Sequence, residues 1–99
     1  MARKLLNING TNANYPDDAG MGFNGNARTL AFQGTFNGLI NIQASYDDGT
    51  TFIGLTDSDG SSLNINADSI VNIAIGTGTK IRFNVSGSSG TSDVDVYVA

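Results

Sequence analysis

Cysteine, histidine, glutamate and tryptophan are absent from this chain, and proline occurs once, at Pro16. Each absence removes a class of function. Without cysteine there is no disulfide, and no thiolate to act as nucleophile or metal ligand. Without histidine the commonest general base and the commonest metal ligand are gone. Without tryptophan there is no indole ring to line a sugar platform. All nine acidic side chains are aspartates. Glutamate favours helices, whereas Asp and Asn favour caps and turns, so the choice leans toward strands joined by turns. Five basic residues against nine acids leave a net charge of −4, which argues against the clustered basic patch a nucleic-acid surface needs. No apolar run approaches the roughly 20 residues that span a bilayer. "LLNING", after Arg3 and Lys4, is too short for a secretory apolar region. The expectation is a soluble protein made in a cytoplasm, with no nucleic-acid or membrane partner.

What is present is alternation of period two. In "TKIRFNVSG" Ile81, Phe83 and Val85 share one face and Lys80, Arg82 and Asn84 the other. "SDVDVYVA" sets Val94, Val96 and Val98 against Asp93, Asp95 and Tyr97. "GLINIQASY" gives Ile40, Ile42, Ala44 and Tyr46, "SIVNIAIG" gives Val71, Ile73 and Ile75, and "RTLAFQG" gives Leu30 and Phe32. "KLLNING", "TTFIGL" and "SLNINA" are shorter candidates. No window carries a stripe of period 3.6. About eight short strands separated by turn signals predict an all-β fold, an antiparallel, jelly-roll-like β-sandwich.

Asn37-Gly38, Asp48-Gly49 and Asp59-Gly60 suit turn positions of positive φ. The segment "GTNANYPDDAGMGFNGN", residues 10–26, is long, small and polar. A structureless run of that length is usually functional or an extended arm. The predicted organisation is an N-terminal arm and loop over residues 1–27 and a sandwich core over residues 28–99. A chain of 99 residues buries a modest core, so assembly with partners would add stability.

Asp47, Asp48 and Gly49 lie between an alternating strand ending at Tyr46 and one starting at about Thr50, and read as a hairpin tip. Two carboxylates fall short of the six to eight oxygens that calcium takes. "DSDG", residues 57–60, fails as a calcium loop, because Ser62 stands where that loop requires glycine and Asp68 where it requires glutamate. "GMGFNG", residues 20–25, matches G-x-G-x-x-G but leads into a strand instead of a helix, so it reads as a flexible loop and offers no phosphate site. A nucleophilic serine would lack a histidine partner. No enzyme activity, catalytic residue, metal or cofactor is expected. Arg3, Lys4 and Arg28 are three of only five cations, two of them beside the terminus. They suggest a cationic arm docking on an acidic protein surface, with Arg3, Lys4, Leu5, Tyr15 and Arg28 as the interaction residues.

From about residue 34 to residue 98 the features run in a familiar order. An alternating strand enters "S-x-D-D-G-T-T-F-x-x-L", with Phe52 at a position where Trp or another aromatic is usual. A variable hairpin follows, then "IAIGTGTKIRFNVSG" and a terminal alternating strand. This order resembles small β-sandwich structural proteins of tailed bacteriophages, of the head-decoration or capsid-cement type. The resemblance implies a virion protein on the outer surface of a phage head. It would contact the major capsid protein and neighbouring copies of itself, as a homo-oligomer with a trimer favoured. The alternative is a tail- or fibre-associated carbohydrate- or receptor-binding module. Its loops 47–49, 57–62 and 86–91 would form one end of the sandwich, with Tyr15, Tyr46 and Tyr97 available to stack on sugars.

Overall fold

The computed structural model describes residues 3–23, 28–57, 59–75 and 79–99. The described residues contain ten strands and no helix: β1 (Arg3–Gly10), β2 (Ala13–Tyr15), β3 (Met21–Phe23), β4 (Arg28–Thr35), β5 (Leu39–Ser45), β6 (Ile53–Gly54), β7 (Asn64–Ile65), β8 (Ser69–Ile73), β9 (Thr79–Ser86) and β10 (Ser92–Val98). All pairings are antiparallel. One sheet, sheet A, has the order β1-β10-β4-β8, and the other, sheet B, the order β2-β9-β5-β6, with β3 also on β9 and β7 also on β5.

The outer strands of sheet B are each one strand broken by an excursion. Tyr15 pairs with Phe83 and Met21 with Ile81, so residues 16–20 bulge out opposite Arg82 alone. Gly54 pairs with Gln43 and Asn64 with Asn41, so residues 55–63 leave opposite Ile42 alone. Counting β2 with β3 and β6 with β7 gives eight strands in two four-stranded sheets joined by chain that mostly crosses between them, the jelly-roll arrangement.

Alternation explains the core. Inward residues of both sheets, among them Ile8, Leu30, Phe32, Ile40, Ile42, Ile81, Phe83, Val94 and Val96, are fully or almost fully buried. Phe32 and Phe83 meet edge to face at 5.7 Å between ring centroids, one from each sheet, the geometry aromatic quadrupoles favour.

Three expectations change. The division into an arm over 1–27 and a core over 28–99 does not hold, because β1 is an edge strand of sheet A, paired with β10 from Arg3 to Gly10, and Ile8 is buried in the core. "KLLNING" has both the alternation and a partner strand. The described part of the polar segment after it is a strand interrupted by a tight excursion, where an arm and loop were expected. "GMGFNG" is likewise no loop over Met21–Phe23, which is β3; Asn24 and Gly25 lie outside the described residues. Tyr46 does not continue the inward face of β5, which stops at Ser45, and it is 72% exposed.

Candidate functional site

The aspartate pair sits where β5 leaves sheet B. Ser45 is completely buried, and its hydroxyl donates to Asp47 Oδ1 (2.7 Å) while accepting the N–H of Gly49 (2.8 Å). Asp47 Oδ1 also accepts the N–H of Thr51 at 2.7 Å. The Thr51 N–H, and after it the Ser45 hydroxyl, hold the Asp47 carboxyl below its ordinary range, because hydrogen bonds to the anion favour ionisation. Asp48 and Gly49 have φ of 62° and 90°, the left-handed conformation that Asp-Gly supplies. Asp48 reaches Lys80 at 3.4 Å. β5 and β6 pair antiparallel on either side, so Asp47 and Asp48 are the bend of a hairpin. Its return strand begins at Ile53, later than expected. Asp57 has the same kind of role, accepting the N–H groups of Asp59 (2.9 Å) and Ser61 (3.1 Å). Among the described residues no three acidic side chains gather as metal ligands would.

Arg82 organises the excursion opposite it. Its Nε donates to Gln43 Oε1 (2.7 Å) and its Nη1 to the carbonyl of Asp18 (2.9 Å). Its guanidinium lies 4.0 Å from the centroid of the Phe52 ring, a cation–π contact. The excursion is closed by the Asp17 carboxylate, which accepts the N–H groups of Ala19 (3.0 Å) and Gly20 (2.9 Å). Phe52 belongs to the "SYDDGTTF" stretch and Arg82 to "IRFNVSG". The two separate motifs therefore meet in space, and Ser45, Asp47, Arg82 and Asn84 in them each have a local hydrogen-bond partner. Beside them an amide row crosses the outer face of sheet B. Asn14, Asn84, Asn41 and Asn64 are register neighbours, linked in part by bonds from Asn84 to Asn14 (2.7 Å) and from Asn41 to Asn64 (3.1 Å).

The expected interaction residues do not form one cluster. Arg3 and Lys4 are exposed at the start of β1, and Leu5 lies where the β1–β10 register shifts, partly packed on the core. Lys4 pairs with Asp95 at 3.1 Å. That contact raises the Lys4 amine and, together with a hydrogen bond from Asn7, lowers the Asp95 carboxyl. Arg28 begins β4 at the same end of sheet A as Arg3, and its guanidinium lies over Phe23 at 5.9 Å. Tyr15 stands apart in sheet B, where its hydroxyl donates to the Thr11 carbonyl (2.9 Å) and its ring packs on the core. The loop cluster of the alternative reading is also divided. Leu39 pairs with Ser86 and Ser45 with Lys80, so loops 47–49 and 86–91 lie at opposite ends of sheet B.

The outer face of sheet A holds a feature that was not foreseen. Ala31 and Gln33 of β4, Tyr97 of β10, and Asp68, Ser69 and Ile70 line a shallow groove of about 520 Å³. Ala31 pairs with Tyr97 on one side and Ile70 on the other, so a small residue forms the floor between two large ones. Ile70 is 74% exposed. The signal was available in "SIVNIAIG", where Ile70 is apolar yet out of phase with Val71, Ile73 and Ile75.

Compared with known proteins, the chain matches no protein-family model, no curated protein and no solved structure.

Proposed function

We propose that this chain is a non-enzymatic virion structural protein, a decoration or cement protein that binds the outer surface of a bacteriophage head and stabilises it. It would contact the major capsid protein and neighbouring copies of itself. The observation that supports this reading is the contact of Phe52 with Arg82. The two stretches that resemble the phage proteins are far apart in sequence, yet they interlock as one unit, as parts of a shared fold feature would. The chemistry agrees: the chain has neither histidine nor cysteine, and a jelly roll with polar faces suits a wall component. The cationic end of sheet A, with Arg3, Lys4 and Arg28, is the face offered to an acidic shell. Sedimentation of purified protein with heads lacking it tests the reading directly. Saturable co-sedimentation, weakened by Arg3→Asp and by added salt, is expected. Absence of co-sedimentation at micromolar protein would overturn it.

A second reading is favoured by the groove on sheet A, where the Tyr97 ring, the Gln33 amide and the Asp68 carboxylate lie together. Planar polar groups beside an aromatic ring suit a pyranose. A glycan array distinguishes the two, because a head-decoration protein should give no hits there.

A further inference from the structure

An antiparallel sandwich has four edges, and an open edge invites another strand unless something blocks it. Three of the four are blocked here. β1 carries Arg3 and Lys4 and a register shift between Lys4 and Leu6. The β2–β3 edge is broken by the excursion that begins at Pro16. The β6–β7 edge consists of two strands of two residues each, separated by another excursion. Short strands, cations, proline and bulges are the usual devices against edge pairing.

β8 has none of them. Its five residues, Ser-Ile-Val-Asn-Ile, include no charge and no proline, and its register with β4 is unbroken from Arg28–Ile73 to Phe32–Ser69. Among the described residues β4 is its only partner strand. Its outward side chains are Ile70 and Asn72, both exposed, while Val71 and Ile73 turn toward the core. Among the described residues, the exposed isoleucine thus stands on the one edge left open.

We propose that β8 is the contact between two copies of this chain, pairing antiparallel with its own equivalent about a two-fold axis and joining two four-stranded sheets into one of eight strands. The inference deepens the self-association in the proposed function. Self-pairing is favoured because the strand is its own complement. Residues directly opposite in an antiparallel pair share a face, so a two-fold axis must pass through a residue pair to keep outer face with outer face. With Ile70 on the axis, it meets the other Ile70 and covers part of the groove beside Ala31. Asp68 then faces Asn72 of the second copy, carboxylate to amide. Placing Val71 on the axis instead would set each isoleucine against an amide. Although the chain carries a net charge of −4, no residue of the strand itself is charged, so like charges do not oppose the approach there. Such an isologous contact closes at two copies, in place of the trimer implied by the resemblance.

One strand pair is a small contact, of the class below about 1,200 Å² that associates weakly. The test is therefore sedimentation equilibrium of the full chain up to about 1 mM. A mass rising from 10.3 kDa toward twice that value is expected, and Ile70→Lys, at an exposed position, should keep the protein monomeric with unchanged circular dichroism. Because the chain lacks cysteine, Ile70→Cys introduces a single thiol. Oxidation should couple it into a covalent dimer, whereas the exposed control Ile53→Cys should not couple preferentially. A wild-type mass fixed at the monomer, a trimer, or a dimer indifferent to Ile70→Lys would each overturn the proposal. Head binding is measured separately, so loss of that function leaves this result readable.

Discussion

Replacing Gly49 with valine separates a structural bend from an ion site. Gly49 has φ of 90°, a conformation that costs an L-residue roughly 1–2 kcal/mol. A β-carbon built there would also lie 2.9 Å from the carbonyl oxygen of Ala19. That atom is backbone, in the excursion held by Asp17 and Arg82, so it cannot swing aside as a side chain would. Overpacking of this kind adds about 1 kcal/mol or more. The sum is about 2 kcal/mol or more. For a domain of this size, each kcal/mol moves Tm by about 4–8 °C, so thermal unfolding followed by circular dichroism should show a fall of at least roughly 8 °C. Asp48→Asn is the control. Asp48 has φ of 62°, which Asn tolerates equally. The lost ion pair with Lys80 involves a side chain that is 91% exposed, where such pairs contribute little. Its expected effect is below about 0.5 kcal/mol. If Asp48→Asn proves the more damaging of the two, the bend is held by the carboxylate and the argument from backbone conformation fails.

Excess EDTA should leave Tm unchanged, and a shift of several degrees would point to a cation held by carboxylates. Phe32→Ala should cost about 3–5 kcal/mol, since the ring is buried against Phe83 across the two sheets; urea denaturation measures it, and a loss under about 1 kcal/mol would mean a core that collapses around the gap. Deleting residues 2–10 should abolish cooperative unfolding, because it removes β1 and the buried Ile8, and a truncated chain with native circular dichroism would restore the detachable arm. Asp95 and Asp47 are lowered by their partners, so their contribution is present above the unfolded carboxyl range near pH 4 and is lost as pH falls through the lower folded values. Lys4 is raised, so its contribution is present below about pH 10 and lost above its folded value. The urea midpoint should therefore be flat between about pH 5 and pH 9 and decline outside, and a midpoint still rising on acidification below pH 4 would refute the assignment.

The long inner strands were legible because burial on one side imposes period two. β9 and β10 carry it along nearly their whole length and β4 and β5 through their middle residues, and the all-β jelly-roll class follows from them. The outer strands of sheet B were not legible as wholes. β2, β3, β6 and β7 are two or three residues long, too short for alternation to show, and the excursions between their halves have the Pro, Asp and Gly of ordinary loops. That mimicry also produced the arm. A polar run of such length looked like a tether, and it drew "KLLNING" out of the sheet with it. The site residues fared differently again. Lys4 gained an ion pair, Tyr15 a place in the core and Arg28 an aromatic neighbour, none of which scarcity of positive charge foretells.

Once β1 is part of the sheet, recognition has to be carried by the outward phase of an already complete sandwich. The same alternation that fixes the fold says which residues face solvent but not which of them meet a partner. Several outward polar positions here satisfy one another: Asn7 with Asp93 and Asp95, Asn84 with Asn14, Arg82 with Gln43. A polar group already bonded to its neighbour gains little from a new partner, because the exchange replaces one hydrogen bond by another. An exposed apolar side chain is different, since covering it releases water wherever the partner comes from. Ile70 therefore stands to contribute more to association than the polar rows around it, and its position on the one strand edge that, among the described residues, lacks a cation, break or proline gives that contribution a direction.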